Sequence, residues 1–134
     1  MTRALLLGAS GFLGGYFARA MTERKMEVIP LSRVEVDYCN YAALRDHIRG
    51  LGGIDYLVNT AGFSGKPNVD QCEVQRVETL EGNLLLPQML SHLSAAEGFR
   101  WLQIGTGCIY EGDKGGGGYT EEDPPNFSFK QNNC

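Results

Sequence analysis

The sequence predicts an α/β protein, the N-terminal portion of a doubly wound parallel sheet with four strands in the order 3-2-1-4. Three observations carry that expectation. Short apolar runs alternate along the chain with segments of helical period. A loop of evenly spaced glycines joins the first apolar run to the first helical segment. And 134 residues, 43% hydrophobic and 21% charged, suffice for one hydrophobic core but not for two.

Residues 4–7 form a glycine-bounded apolar run, the pattern of a strand buried on both faces. From residue 12 to about residue 23, Leu13, Phe17, Ala20 and Met21 follow helical spacing, and Arg24-Lys25 suit the negative pole of the helix dipole. Residues 26–31 give a second strand, with Pro30 marking its finish. Asn40 is placed to cap a helix over 41–49, which Gly50, Gly52 and Gly53 stop. Residues 54–59 make a third strand. Asp70 with Glu73 resembles a capping box opening a helical stretch as far as Glu97, kinked or interrupted at Pro87. Residues 100–104 give a fourth strand with one unpaired edge, and residues 106–134, rich in Gly, Pro, Asn and acids, are expected to be a flexible tail. Parallel neighbours need crossover connections, which the intervening helices provide.

Composition excludes several functions. The net charge of −4 is spread without a block of like charge, so neither nucleic acid nor an anionic membrane is an expected partner. The apolar runs at 4–7 and 84–86 fall far short of the roughly 20 residues of a membrane span. The N-terminus lacks the apolar stretch of a signal peptide, which leaves the cytoplasm as the expected compartment. Cys39, Cys72, Cys108 and Cys134 form no Cys-x-x-Cys pair and have no His placed to complete a metal site, so they are expected to be free thiols.

The loop Gly8-Ala9-Ser10-Gly11-Phe12-Leu13-Gly14 lies between a strand and a helix, the context that a Rossmann-type dinucleotide fingerprint requires. Gly8 permits the tight turn, Gly11 lets the backbone approach a pyrophosphate, and Gly14 lets helix and sheet pack closely. Free amides at the helix start, around Ser10, Phe12 and Leu13, then hold the anion. About 20 residues further on, an Asp or Glu would accept from a ribose 2′-hydroxyl. Here Ser32-Arg33 stand at the end of the second strand, which favours a 2′-phosphate and NADP(H), with NAD(H) the alternative. Glu35 serves a ribose if the loop curls back.

These residues resemble the extended short-chain dehydrogenase/reductases of the nucleotide-sugar branch, whose glycine motif has the same three-and-three spacing. Asp37 looks like the family's Asp near the adenine ring, and Asn59-Thr60-Ala61-Gly62 like its Asn-x-Ala-Gly motif. The segments 61–73, 106–111 and 121–127 look most like the 3,5-epimerase/4-reductases of dTDP- or UDP-rhamnose synthesis. The resemblance implies hydride transfer from a nicotinamide to the C4 ketone of a 4-keto-6-deoxy nucleotide sugar, and a homodimer in the complete enzyme. A Tyr would donate the proton and a Lys four residues later would lower that Tyr's pKa. It also implies Thr106 as the hydroxyl that holds the substrate carbonyl, Cys108 as the thiol exchanging protons at C3 or C5, and Asn83 as the active-site Asn. A loop Thr, an inert buried thiol and a helix-kink partner of Pro87 are the competing readings of these three.

The expected Tyr-x-x-x-Lys pair is missing. Tyr110/Lys114 alone has the spacing, and it runs into the glycines at 115–118, which oppose a helix by about 1 kcal/mol each. The chain is therefore expected to be the front portion of such an enzyme, without its substrate region, binding dinucleotide weakly and catalysing little. A non-catalytic regulatory module and another NAD-dependent epimerase or dehydratase are the alternatives.

Overall fold

The computed structural model describes residues 1–105 and 109–127, and the chain divides into two compact units, Met1–Ile104 and Gly105–Cys134. The first unit contains β1 (Arg3–Leu7), α1 (Phe12–Glu23), β2 (Glu27–Leu31), α2 (Tyr41–Gly50) and β3 (Tyr56–Asn59). A 3₁₀ turn (Val69–Glu73) leads into α3 (Arg76–Leu80), a π-helical turn (Glu81–Leu85), α4 (Leu86–Glu97) and β4 (Arg100–Gln103).

All strand pairs are parallel, and the sheet runs β2-β1-β3-β4. The expected order 3-2-1-4 is corrected: β3 crosses over to the far side of β1 rather than adding outside β2. Burial gives the physical reason. Leu57, Val58 and Asn59 are buried and suit a central strand, whereas β2 is half-open from Glu27 to Ile29, carries an exposed Pro30 and is buried only at Leu31. The Glu27 amide donates to Thr2 O at 2.9 Å, so Ile29 and Leu31 also face β1 and the imide nitrogen of Pro30 points to the open edge, where a missing N–H costs no ladder bond. Among the described residues β4 is the other edge, in line with the unpaired edge expected there.

The alternation of β1 builds two cores. Ala4 and Leu6 meet Met21 and Val58 under α1. Leu5 and Leu7 meet Leu44 and Ile48 of α2 and Leu86, Leu90 and Leu93 of α4 on the opposite face. Helices on both faces of a parallel sheet satisfy its two apolar sides. Asn40 caps α2 as expected, accepting from Ala43 N at 3.1 Å, and the Arg24 side chain returns to Ala20 O at 3.0 Å near the end of α1.

The continuous helix expected over 70–97 is interrupted, but not by Pro87. Proline occupies the first turn of α4, where its missing N–H is not needed. The break lies upstream, where the π-helical turn brings Gly82 against Phe63: a methyl group at Gly82 would lie 3.2 Å from Phe63 N. The expected capping box at Asp70 is also corrected, since Asn68 precedes the 3₁₀ turn and no side chain caps it.

Arg49 of α2 and Glu97 of α4 form a two-pronged pair, Nε to Oε2 at 3.0 Å and Nη2 to Oε1 at 2.8 Å. The hydrogen bonds from Arg49 hold the Glu97 carboxyl below its ordinary value of 4.5. A carboxylate lowered by folding contributes stability above its unfolded pKa, and the contribution is lost as pH falls through the folded one. Thermal melting is therefore expected to weaken below about pH 4.5, and Glu97→Gln should flatten part of that acid limb. Glu35 and Asp123, also lowered, supply the remainder. Identical acid limbs in the two proteins would contradict the role of the pair.

The Gly105–Cys134 unit shows neither helix nor strand among residues 109–127, but it is closed on itself. The amides of Asn126 and Phe127 donate to Ile109 O at 3.2 and 3.1 Å, and the Asn126 side chain accepts from Glu111 N and donates to Glu111 O.

Candidate functional site

In a parallel sheet the strands deliver their C-terminal ends to one side, and the order 2-1-3-4 places the topological switch between β1 and β3. The glycine loop leaves β1 at that point. Gly8 has φ +75°, and a Cβ on it would lie 2.8 Å from Ala61 N, so it answers both to the turn and to close approach by the chain leaving β3. At Gly14 a Cβ would collide with Gly8 O and lie 2.8 Å from Ala9 Cα, so the first turn of α1 rests directly on the loop. Gly11 is the N-cap of α1, has no side chain to offer a cap, and sits at φ −79°, ψ 169°. The first amides of a helix have no partner within it. Here those of Phe12, Leu13 and Gly14 remain available at the positive end of the dipole. Ser10 and Gly11 are exposed beside them, as are the side chains of Phe12 and Leu13.

Asn59 closes β3 and is fully buried. Its Nδ2 donates to Gln103 Oε1 at 2.8 Å and its Oδ1 accepts from Ala61 N at 3.1 Å. Both ends of the amide are thus engaged within the protein, fixing the turn at Ala61 that faces Gly8. Asn83, in the π-helical turn, makes a two-way bond with the backbone of Phe63: Oδ1 accepts from Phe63 N at 2.8 Å and Nδ2 donates to Phe63 O at 2.7 Å. Its Oδ1 would lie 3.1 Å from a Cβ on Gly62. The loop after β3 is therefore tied at Asn59 and again at Asn83.

A small cleft of about 20 Å³, room for a water molecule, opens between the ends of β2 and β3. Arg33, Tyr38 and Cys39 line one side, and Ala61, Gly62, Phe63, Gly82 and Leu86 the other. Burial raises the Tyr38 phenol above its ordinary value, against the pull of the Arg33 guanidinium beside it. Desolvation raises the Cys39 thiol, with help from the Asp37 and Glu81 carboxylates. Cys39 and Cys72 are free thiols. Asp37 does not line the cleft; its Oδ1 accepts from Cys39 N at 3.1 Å and shapes the turn. Ser32 sits at the end of β2 with its hydroxyl 2.7 Å from Glu35 Oε2.

The structure thus gathers Gly8, Gly11, Gly14, Ala61, Gly62 and Asn83 around one switch point, with Arg33 on the cleft reaching it from β2. Sequence reasoning did not foresee Gln103, Phe63, Gly82 or Tyr38. Thr106 and Cys108 lie outside the described residues. Within the second unit Tyr110 and Lys114 belong to no helix: Lys114 has φ 55° and pairs with Asp123, while the Tyr110 hydroxyl donates to Asp123 O at 2.9 Å. Among the described residues no helix is long and apolar enough to cross a membrane.

Comparison with known proteins agrees with this layout. Over 78 residues, 54% of this chain and 26% of the relative, the sequence is 40% identical to a bifunctional dTDP-4-dehydrorhamnose 3,5-epimerase/dTDP-4-dehydrorhamnose reductase of Arabidopsis thaliana. It is 32% identical over 129 residues to a trifunctional UDP-glucose 4,6-dehydratase/UDP-4-keto-6-deoxy-D-glucose 3,5-epimerase/UDP-4-keto-L-rhamnose-reductase of the same plant, covering 92% of this chain and 19% of that one. Among solved structures, a dTDP-4-dehydrorhamnose reductase from Bacillus anthracis in complex with NADP superposes with a TM-score of 0.80 at 21% identity, over 94% of this chain and 44% of that chain. The chain therefore spans less than half the length of each of these proteins. Residues 2–127 match the RmlD substrate binding domain, and the chain belongs to that family.

Proposed function

We propose that this chain forms the dinucleotide-binding part of a rhamnose-type nucleotide-sugar reductase/epimerase, with NADP(H) as its cofactor and a 4-keto-6-deoxy nucleotide sugar as the substrate of the whole enzyme. The observation that carries the reading is the glycine loop. Three glycines at positions where a Cβ would strike or crowd backbone set unpartnered helix amides at the switch point, and that arrangement suits a pyrophosphate. The NADP complex of the Bacillus anthracis reductase and the names of the plant relatives support the cofactor and the substrate class.

In this reading Ser10, Gly11, Phe12, Leu13 and Gly14 hold the diphosphate through backbone amides, and Ser32 and Arg33 meet the 2′-phosphate. Ala61 and Gly62 present backbone to the cofactor, Asp37 shapes the adenine end, and Asn59 and Asn83 are positioning residues that keep the β3 loop in place. When bound, the nicotinamide supplies the hydride for ketone reduction. The proton chemistry needs a tyrosine beside a lysine on one helical face, and Tyr110/Lys114 does not provide it. In this reading residues 1–105 contribute the binding of the dinucleotide, and Tyr110 and Lys114 are not the proton-transfer pair. Thr106 and Cys108 keep their proposed roles in carbonyl binding and proton exchange.

Titration of the purified chain with NADPH and NADH tests the reading. NADPH should bind, and Arg33→Ala should weaken NADPH about tenfold while leaving NADH unchanged, since an exposed charge-assisted contact is worth about 1–2 kcal/mol. Failure of both cofactors to bind would overturn the proposal.

A further inference from the structure

Resting on that reading, we infer that Gln103 of β4 is a positioning residue for the dinucleotide, because it sets the direction of the Asn59 side-chain amide. That amide in turn gives Ala61 N–H the acceptor that keeps the β3 loop against the glycine turn. Asn59 and Gln103 are register partners in the parallel pair of β3 and β4, so their side chains leave the sheet on the same face. Three hydrogen bonds then run in one direction. Ala61 N donates to Asn59 Oδ1 at 3.1 Å, Asn59 Nδ2 donates to Gln103 Oε1 at 2.8 Å, and Gln103 Nε2 donates to Ile104 O at 2.9 Å. The main chain repeats the link, with Ile104 N donating to Asn59 O at 3.1 Å.

A side-chain amide can be turned end for end at little steric cost, since its NH2 and its oxygen differ mainly in donating and accepting. Here the main chain at both ends of the relay forbids the turn. The Ile104 carbonyl can only accept, so Gln103 must offer it Nε2 and show its oxygen to Asn59. That oxygen draws Asn59 Nδ2, and Oδ1 is left for Ala61 N–H, which can only donate. Reversing Asn59 would set two donors against each other in a fully buried place. The end of the relay matters for the cofactor. A Cβ on Gly8 would lie 2.8 Å from Ala61 N, so the backbone that the relay fixes is the wall against which the glycine turn is built. Thr60 secures the same junction separately, its N and Oγ1 both donating to Leu7 O at 3.1 and 2.7 Å.

The test separates accepting from donating at position 103, since an ionised glutamate only accepts and a lysine only donates. NADPH is titrated into the wild-type chain, Gln103→Glu, Gln103→Lys and Gln103→Met, with melting curves to confirm folding and amide hydrogen exchange followed at Ala61 and Thr60. Gln103→Glu still receives Asn59 Nδ2, so it should bind NADPH within about threefold of the wild type and keep Ala61 protected. Gln103→Lys draws Asn59 Oδ1 to itself and Gln103→Met offers nothing. Both should bind about tenfold more weakly, the worth of one hydrogen bond, and lose protection at Ala61 by a similar factor while Thr60 keeps its own. Overall charge predicts the reverse order, because an added cation favours an anionic ligand and an added carboxylate opposes it. If Gln103→Glu weakens binding as much as Gln103→Met, or Gln103→Lys binds as tightly as the wild type, Gln103 only fills the edge of the sheet and the inference fails, although the cofactor site stands. If the wild type binds no dinucleotide, it is the cofactor reading itself that fails.

Discussion

Replacing Gly14 with alanine should cost about 3 kcal/mol or more of folding stability and abolish measurable dinucleotide binding. The added methyl group would meet Gly8 O and lie 2.8 Å from Ala9 Cα. Those are backbone atoms, which cannot rotate away as a side chain can, so α1 must lift from the loop. That displacement moves the amides of Phe12 and Leu13 with it. The neighbouring position supplies the control. Gly15 lies in the same helix with nothing within 4 Å of its would-be Cβ, so Gly15→Ala should stabilise by about 0.5–1 kcal/mol through lower unfolded-state entropy. Urea unfolding of the two variants beside the wild type decides the matter, and equal midpoints would contradict the packing described.

Asn59→Leu should be the second severe change. The substitution keeps the volume and leaves two polar groups stranded, Gln103 Oε1 and Ala61 N, each of which loses the partner now 2.8 and 3.1 Å away. A buried group without a partner costs about 1–3 kcal/mol, so a loss of about 2–4 kcal/mol is expected, since Gln103 can turn to other partners more easily than the fixed amide. The double variant Asn59→Leu/Gln103→Leu should recover part of the loss. Absence of recovery would mean that the pair is not the source of the cost.

The legible parts of this molecule were the local ones. Gly8, Gly11 and Gly14 are spaced by a loop that needs them within seven consecutive residues, so their role shows in the sequence itself. Asn40 likewise announces the cap of the helix that starts at the next residue, with its partner amide only three residues away. Strand order is a contest among distant segments, and it was misjudged although two signals were present: Pro30, which cannot serve a central strand on both sides, and the fully apolar Leu57-Val58 that precedes buried Asn59. The partnership of Asn59 with Gln103 spans 44 residues and leaves no local trace. The turn of Ser32 and Glu35 was readable, since Ser-x-x-Glu is the spacing of a reciprocal cap. Its position at the end of β2 drew attention to Arg33 instead. Asn83 carried the opposite risk: the sequence suggested a site residue or a partner of Pro87, and the structure joins it to Phe63, twenty residues away.

The proline in β2 makes the sheet unequal in its capacity to grow. Within Glu27–Leu31 only Val28 and Pro30 direct their nitrogens outward, and of these only Val28 carries a hydrogen to donate. An incoming strand from another molecule would find every second donor missing there, so ribbon-like polymerisation through that side is suppressed without any charged guard residue. Among the described residues β4, Arg100–Gln103, is the other edge and contains no proline. Association that would extend the sheet through the β2 flank is thereby disfavoured.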